Sequence, residues 1–227
     1  MEVEAAQPRP RESPIRLYFW ALLVGLLAVA NYAERFSGSK PLGVYSYSTF
    51  TTGTVFYVLW LGVVLLIARD RFDLLALRRP WSWRQALTLA FGVIVAILLW
   101  EYVVSLLPLP ESPGKEQGLT DVHWEPAHEG AFALNFVLFA MIDPFVEELT
   151  FRGEGQSLLR FLGRWPSILI VGLAFGLAHG LVEALLVLVP FGIALAWLRD
   201  RTNSVVPGMF VHGLFNGAAL VAIVAFS

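Results

Sequence analysis

Cysteine is absent from the 227 residues, which excludes disulfides, thiolate nucleophiles and cysteine metal ligands. Charge is nearly as scarce. Asp, Glu, Lys and Arg make up 15% of the chain, where a soluble protein carries about a quarter. The formal net charge is only −2. Walker loop, glycine-rich nucleotide fingerprint, internal repeat and basic patch are all missing. Nucleotide-binding and nucleic-acid-binding functions therefore have no motif to rest on.

What fills the chain instead is apolar sequence. Hydrophobic residues make up 57% and mean hydropathy is +0.66. Runs of about 20 apolar residues are long enough to cross a bilayer as helices. Seven recur, at roughly 16–33, 50–68, 85–107, 132–162, 166–184, 184–199 and 205–226. The fourth is the least regular, and only a short polar break around Glu183 separates the fifth from the sixth. The sequence predicts an all-α, polytopic membrane protein of about seven transmembrane helices. A single domain, 15–227, follows a disordered cytoplasmic tail, 1–14.

Sidedness follows from the cations. Of the 16 Lys and Arg residues, all but Arg35, Lys40 and Lys115 fall on one side of a seven-span arrangement. They cluster before the first span, at Arg69–Arg84, at Arg152–Arg164 and at Arg199–Arg201. The positive-inside rule then puts the amino terminus in the cytoplasm and the carboxy terminus outside. A bacterial inner membrane is the expected location. The acidic, proline-bearing stretch from Pro108 to Gly130 reads as an irregular external loop. Ala28-Val29-Ala30 superficially matches a signal-peptidase site, but the run before it is as long as a full crossing, so it is read as a retained span.

Against this background a few polar residues stand out. Glu147-Glu148-Leu-Thr-Phe-Arg152 lies inside an apolar stretch, as do Phe175-Gly-Leu-Ala-His179 and His212-Gly-Leu-Phe-Asn216. An ionisable group at the centre of a membrane helix costs roughly 2.5 to 3.5 kcal/mol to insert. Such groups face the protein interior and pair with one another. At 1.5 Å per residue, Glu147 lies about 24 Å from the turn at Gly163, and His179 about 20 Å from Pro166. His212 lies about 14 Å beyond Asn203, with Asn216 one turn deeper. Three of the last four helices thus bring polar groups to overlapping depths, provided the fourth stays helical through Gly153 and Gly155.

Register divides the roles further. Glu148 and Arg152, Phe175 and His179, and His212 and Asn216 are each four apart and share a helix face. Adjacent Glu147 and Glu148 are rotated by about 100°, so one can pair with Arg152 while the other points into a cavity. Asp143-Pro144 just before them is expected to kink the helix and free a carbonyl. A carboxylate and an imidazole can hold a water and take its proton. A second imidazole and a carboxamide can donate to an oxyanion. Hydrolysis is the chemistry that suits them. Thr150, Ser157 and Ser204 have no base at suitable spacing, which disfavours a serine nucleophile.

The ordered set Glu-Glu-x-x-x-Arg, Phe-x-x-x-His and His-x-x-x-Asn resembles the CAAX-protease and bacteriocin-processing family of intramembrane glutamic endopeptidases. This family includes the type II CAAX prenyl endopeptidases. The resemblance runs over roughly 85–222, with a catalytic core at 84–222. It implies Glu147 as general base, His179 as a water-binding partner, and His212 and Asn216 as oxyanion stabilisers. Glu148 and Arg152 would organise the site and Phe175 would pack against it. It further implies a peptide or lipidated-protein substrate, with no cofactor and no essential metal.

Other readings of the same residues stay open. Glu147, His179 and His212 match a two-histidine, one-carboxylate zinc set with an open position. The cavity could equally serve a binding or immunity protein. Glu148–Arg152 taken alone is an ordinary intramembrane ion pair. Glu101, with Trp100 and Tyr102, reads as an interfacial anchor, and Trp81, Trp83 and Trp165 as an aromatic belt. His123 and His128, with Glu125 and Glu129, read as solvated loop residues.

Overall fold

A computed structural model describes residues 14–37, 43–107, 123–182 and 184–225. The expected tail, apart from Pro14, lies outside these residues. So do Glu183, Lys40, Lys115 and the loop from 108 to 122. The described residues form seven helices and no strand, the all-α membrane architecture expected from the hydropathy pattern. They are α1 (Pro14–Phe36), α2 (Tyr47–Ile67), α3 (Trp83–Ser105), α4 (Pro126–Leu162), α5 (Arg164–Ala178), α6 (Leu185–Thr202) and α7 (Val206–Ala225). Five of them, α1 to α4 and α7, are long and apolar enough to cross a membrane. Their outward faces carry exposed Leu, Val and Phe, such as Leu59, Leu66, Phe91 and Leu99, as lipid contact requires. The protein is an integral membrane protein.

Two expected boundaries shift. The fifth span was read to 184, but α5 stops at Ala178 because Gly180 turns the chain with φ of +67°. Its Cβ-less backbone lies against Asn31 and Tyr32 of α1. The fourth span is longer than expected and irregular in a specific way. Two π-helical segments, Leu138–Ile142 and Leu149–Gly155, bracket an α-helical turn at Asp143–Glu148. A π-turn replaces i−4 bonding with i−5 bonding and often marks a functional site.

Carbonyls that proline leaves without a partner are taken up by side chains. Pro190 lies inside α6 and cannot donate to Leu186, four residues earlier. The indole of Trp100 donates to the Leu186 carbonyl instead, at 2.6 Å. Trp100 thus ties α3 to α6 rather than serving only as an interfacial anchor. The first helix is held in the same manner. Trp20 donates to Thr150 O at 2.9 Å and Asn31 to Ala178 O at 2.6 Å, while the Arg16 guanidinium donates to Ile67 O.

Helices α5 and α6 pack backbone to backbone. A Cβ added at Gly192 would sit 2.8 Å from the Gly172 carbonyl oxygen, so only glycine permits this approach. The closeness matters because Phe191 and Gly192 both face the polar cluster. Gly192→Val is therefore expected to lower stability by about 1 to 3 kcal/mol through overpacking, measured as detergent-solubilised thermal unfolding. Gly92→Val, with nothing within 4 Å of the added Cβ, should leave unfolding unchanged.

Candidate active site

The π-turn after Glu148 and the α-turn before it set the directions of the two glutamates. Glu148 and Arg152 are both fully buried and form an ion pair of 2.7 Å between Oε1 and Nη1. Arg152 Nη2 donates to Gly192 O on α6 at 3.2 Å. Its guanidinium carbon stands 4.1 Å from the centre of the Phe175 ring on α5, a cation–π contact in a desolvated setting. On the far side, His212 Nδ1 on α7 donates to the same Glu148 Oε1 at 3.1 Å. A Cβ at Gly208, one turn before His212, would lie 2.7 Å from Glu148 Oε2. That glycine lets α7 approach the carboxylate. Arg152 is thus an interior residue and not one of the loop cations used to assign sidedness.

Glu147 points elsewhere, as its register requires. His179 Nδ1 donates to the Phe175 carbonyl at 2.8 Å, and His212 Nδ1 is taken by Glu148. A carbonyl or carboxylate partner at Nδ1 requires the proton there and leaves Nε2 as the second functional atom. Both Nε2 atoms face Glu147, at 3.9 Å from Oε1 for His179 and 3.7 Å from Oε2 for His212. Each gap exceeds a direct hydrogen bond and suits a bridging water. The His179 side chain is 20% exposed against 9% for Glu147 and 2% for His212, so the cluster opens on the His179 side.

Aromatic rings wall the cluster. The Phe175 ring lies edge-on to His179 at 4.6 Å and to His212 at 5.6 Å between centroids. Phe191 packs against His212 at 5.3 Å and stacks on Phe215 at 4.5 Å. Such rings fix imidazole orientation and exclude bulk water, which strengthens every charge interaction inside.

Asn216 is placed next to the cluster but has a structural commitment. Its Nδ2 donates to the Phe139 carbonyl at 3.0 Å. In the π-register of this stretch Asp143 N bonds to Leu138 O, so position 144 would donate to Phe139. Pro144 has no N–H. The carbonyl expected to be freed by Asp143-Pro144 is therefore Phe139 O, and Asn216 satisfies it with one of its two N–H groups.

The structure gathers Glu147, Glu148, Arg152, Phe175, His179 and His212 directly, and Asn216 one turn along α7. It adds residues the sequence reading missed. Asp143 is one turn before Glu147 on the same face, a spacing that could have flagged it, and it interacts with Glu147 and with Tyr57 of α2. Nothing in the sequence of α2 marks Tyr57, and Phe191 looks like ordinary core. Glu154 is fully buried with neither carboxylate oxygen hydrogen-bonded. The hydroxyls disfavoured as nucleophiles are engaged in structural bonds: Thr150 with Val146 O, Ser157 with Leu74 O and Arg199, and Ser204 with Arg78 O. His128, expected on a loop, lies in the exposed first turn of α4 and bonds Glu125 at 2.8 Å, away from the cluster. Among the described residues no group of three or more His, Asp or Glu is arranged to hold a metal ion.

Comparison with known families agrees with the motif reading. Residues 129–218 match the family model described as type II CAAX prenyl endopeptidase Rce1-like. That segment contains every motif residue from Glu147 to Asn216, and the match is consistent with the resemblance to the CAAX-protease and bacteriocin-processing family. The family is one of endopeptidases, which supports a hydrolase acting on peptide bonds. No curated protein and no solved structure matches significantly.

The buried pair generates a stability prediction. Arg152→Met leaves Glu148 charged, buried and bonded only to His212. A loss of about 3 to 5 kcal/mol is expected, read as reduced thermal unfolding temperature of purified protein. Adding Glu148→Gln should recover part of that loss, because the uncompensated charge is gone.

Proposed function

We propose that this chain is an intramembrane glutamic endopeptidase that hydrolyses a peptide bond using water and no metal. The observation that carries the reading is the pair of imidazole Nε2 atoms facing the two oxygens of one carboxylate, at 3.7 and 3.9 Å. A water held between Glu147 and His179 loses a proton to Glu147 as its oxygen attacks the scissile carbonyl carbon. The carbonyl π-electrons move to oxygen, and the resulting oxyanion lies towards His212 and Asn216. His212 donates from Nε2 as an imidazolium, with Glu148 as its counter-charge. Collapse of the tetrahedral intermediate breaks the C–N bond, and Glu147 passes its proton to the leaving nitrogen. A carboxylic acid and an amine are the products, and the glutamate is restored.

In this scheme Glu148 and Arg152 are positioning residues. They fix His212 through Nδ1 and hold α4 against α6. Phe175 orients both imidazoles and carries the guanidinium on its face. The opening beside His179 admits the substrate, a membrane-associated peptide or a lipidated protein tail. A prenylated CAAX tail is the substrate suggested by the family description. The amino terminus is cytoplasmic and the carboxy terminus external, in a bacterial inner membrane.

Glu147→Gln is expected to keep the fold and lower cleavage by at least about 100-fold, the scale of a lost general base. The assay uses protein reconstituted in lipid with a prenylated CAAX reporter peptide. Comparative membrane proteomics of cells expressing wild type or Glu147→Gln runs in parallel, for substrates outside the CAAX class. Cleavage at the wild-type rate in the variant overturns the peptidase reading. Activity that survives exhaustive chelation supports water activation without a metal. Loss on chelation, restored by zinc, replaces it with the zinc reading of the same three residues.

A further inference from the structure

The carboxyl group of Asp143 lies one α-turn before Glu147, on a face that continues towards α2. Asp143 Oδ1 is buried and has no hydrogen-bond partner. Glu147 Oε2, four residues on along the same face, is likewise buried without a partner, and Tyr57 of α2 acts on the Asp143 carboxyl from the other side. His179 and His212 act on it electrostatically from α5 and α7. Arg152 makes no ion pair with Asp143: its Nη1 and Nη2 go to Glu148 and Gly192 O, and its Nε is buried without a partner. Glu147 therefore has a second carboxyl as a direct neighbour, and its salt-bridge partner in the motif belongs to Glu148.

We propose that Asp143 is a positioning residue for the reaction, sharing one proton with Glu147 and held in place by Tyr57. The inference rests on the peptidase reading above and deepens it. Two carboxyl groups one turn apart on the same helix face, each with a buried oxygen that lacks a partner, are relieved when the pair holds one proton between them. With that proton on Asp143, its O–H donates to one oxygen of Glu147. Tyr57, whose phenol can donate, anchors Asp143 from the opposite helix. Glu147 Oε2, buried without a partner, is the oxygen that takes this bond, and Oε1 is left to the water and to His179 Nε2. Glu147 then accepts the proton from water while its carboxylate is held by a donor on its far side. When the C–N bond breaks, the accepted proton goes to the leaving amine and the Asp143 proton stays where it began. Proton count and charge balance over the cycle.

The geometry explains why the aspartate precedes a proline. Pro144 ends the π-turn and starts the short α-turn Asp143–Glu148, which brings positions 143 and 147 onto one face at i, i+4 spacing. An uninterrupted π-turn, in which i and i+5 stack, would separate them. The local switch between helix types is what makes the two carboxyls neighbours.

The test compares wild type, Asp143→Asn, Tyr57→Phe and Glu147→Gln, all full-length and reconstituted in lipid with the prenylated CAAX reporter. Asp143→Asn is close to isosteric and should fold. Its kcat is expected to fall at least about 10-fold with KM within two-fold of wild type, because ground-state binding is untouched. Tyr57→Phe should lower kcat by a smaller factor in the same pattern. Difference infrared spectroscopy supplies a readout that a packing role would not move. The wild-type protein should show a carboxylic acid C=O band that shifts in heavy water and is altered by Asp143→Asn and by Glu147→Gln alike. Glu154→Gln serves as the background for the other buried carboxyl. Wild-type kcat in Asp143→Asn, or a carboxylic acid band indifferent to both substitutions, overturns the shared proton. The two readings fail separately. If Glu147→Gln cleaves normally, the peptidase reading falls. If Glu147→Gln is dead and Asp143→Asn cleaves normally, only the role of Asp143 falls.

Discussion

The Arg152–Glu148 ion pair, buried without exposure on either side, is the interaction on which the rest of this site is hung. One carboxylate oxygen receives Arg152 of its own helix and His212 of α7. The guanidinium reaches on to a backbone carbonyl of α6 and lies over an aromatic ring of α5. Four helices are thereby referred to a single pair of charges. A buried pair of this sort contributes little net stability against a hydrophobic replacement, and its use is better sought in specificity. Here it fixes the tautomer and direction of His212 and so determines which imidazole atom faces Glu147.

The same economy governs the backbone of α4. A membrane helix must satisfy every carbonyl internally, and a proline or a change of helix type breaks that rule locally. In α4 the carbonyl freed at Phe139 is met by Asn216 from α7, and at the second π-segment Trp20 of α1 donates to Thr150 O. The irregularity is therefore also a source of tertiary contacts. It lets an i, i+4 pair (Glu148 and Arg152) and a second i, i+4 pair (Asp143 and Glu147) project on different faces of one helix. A regular α-helix would carry the same spacings but would not need Asn216 or Trp20 to complete it. Asn216 is consequently both a bundle contact and a neighbour of the proposed oxyanion.

Much of this was legible before any coordinates. Helix number, the irregularity of the fourth span and the gathering of three motifs follow from hydropathy and from the cost of charges in lipid. The opposed directions of Glu147 and Glu148 follow from the 100° step alone. What escaped was of two kinds. The π-turns depend on which backbone bonds tertiary contacts allow, and no residue type encodes that choice. Tyr57 and Phe191 carry no motif and acquire meaning only from the helices placed opposite them. Arg152 was counted with the cytoplasmic cations because sequence distance from Arg160 cannot show that the helix buries it. Asp143 is readable from the sequence: it stands four residues before Glu147, beside a proline whose backbone effect is the more conspicuous signal.

That spacing changes what kind of acid–base device the site contains. The two oxygens of Glu147 and the His179 Nε2 are three acceptors converging on one space when the His179 ring proton is on Nδ1. Such a set needs donors to be stable. A water supplies two, and a protonated aspartate supplies a third from the opposite side of the carboxylate. With the proposed proton on Asp143, the cluster has a donor for each of these acceptors from its own residues and one water. The arrangement then has a direction: donor character arrives from α2 through Tyr57 and Asp143, and acceptor character faces the opening beside His179. A substrate carbonyl entering there meets water held against a carboxylate whose far side is already hydrogen-bonded. This one-sidedness, set by a proline-terminated π-turn, is what would let a single glutamate serve as base for attack and acid for departure.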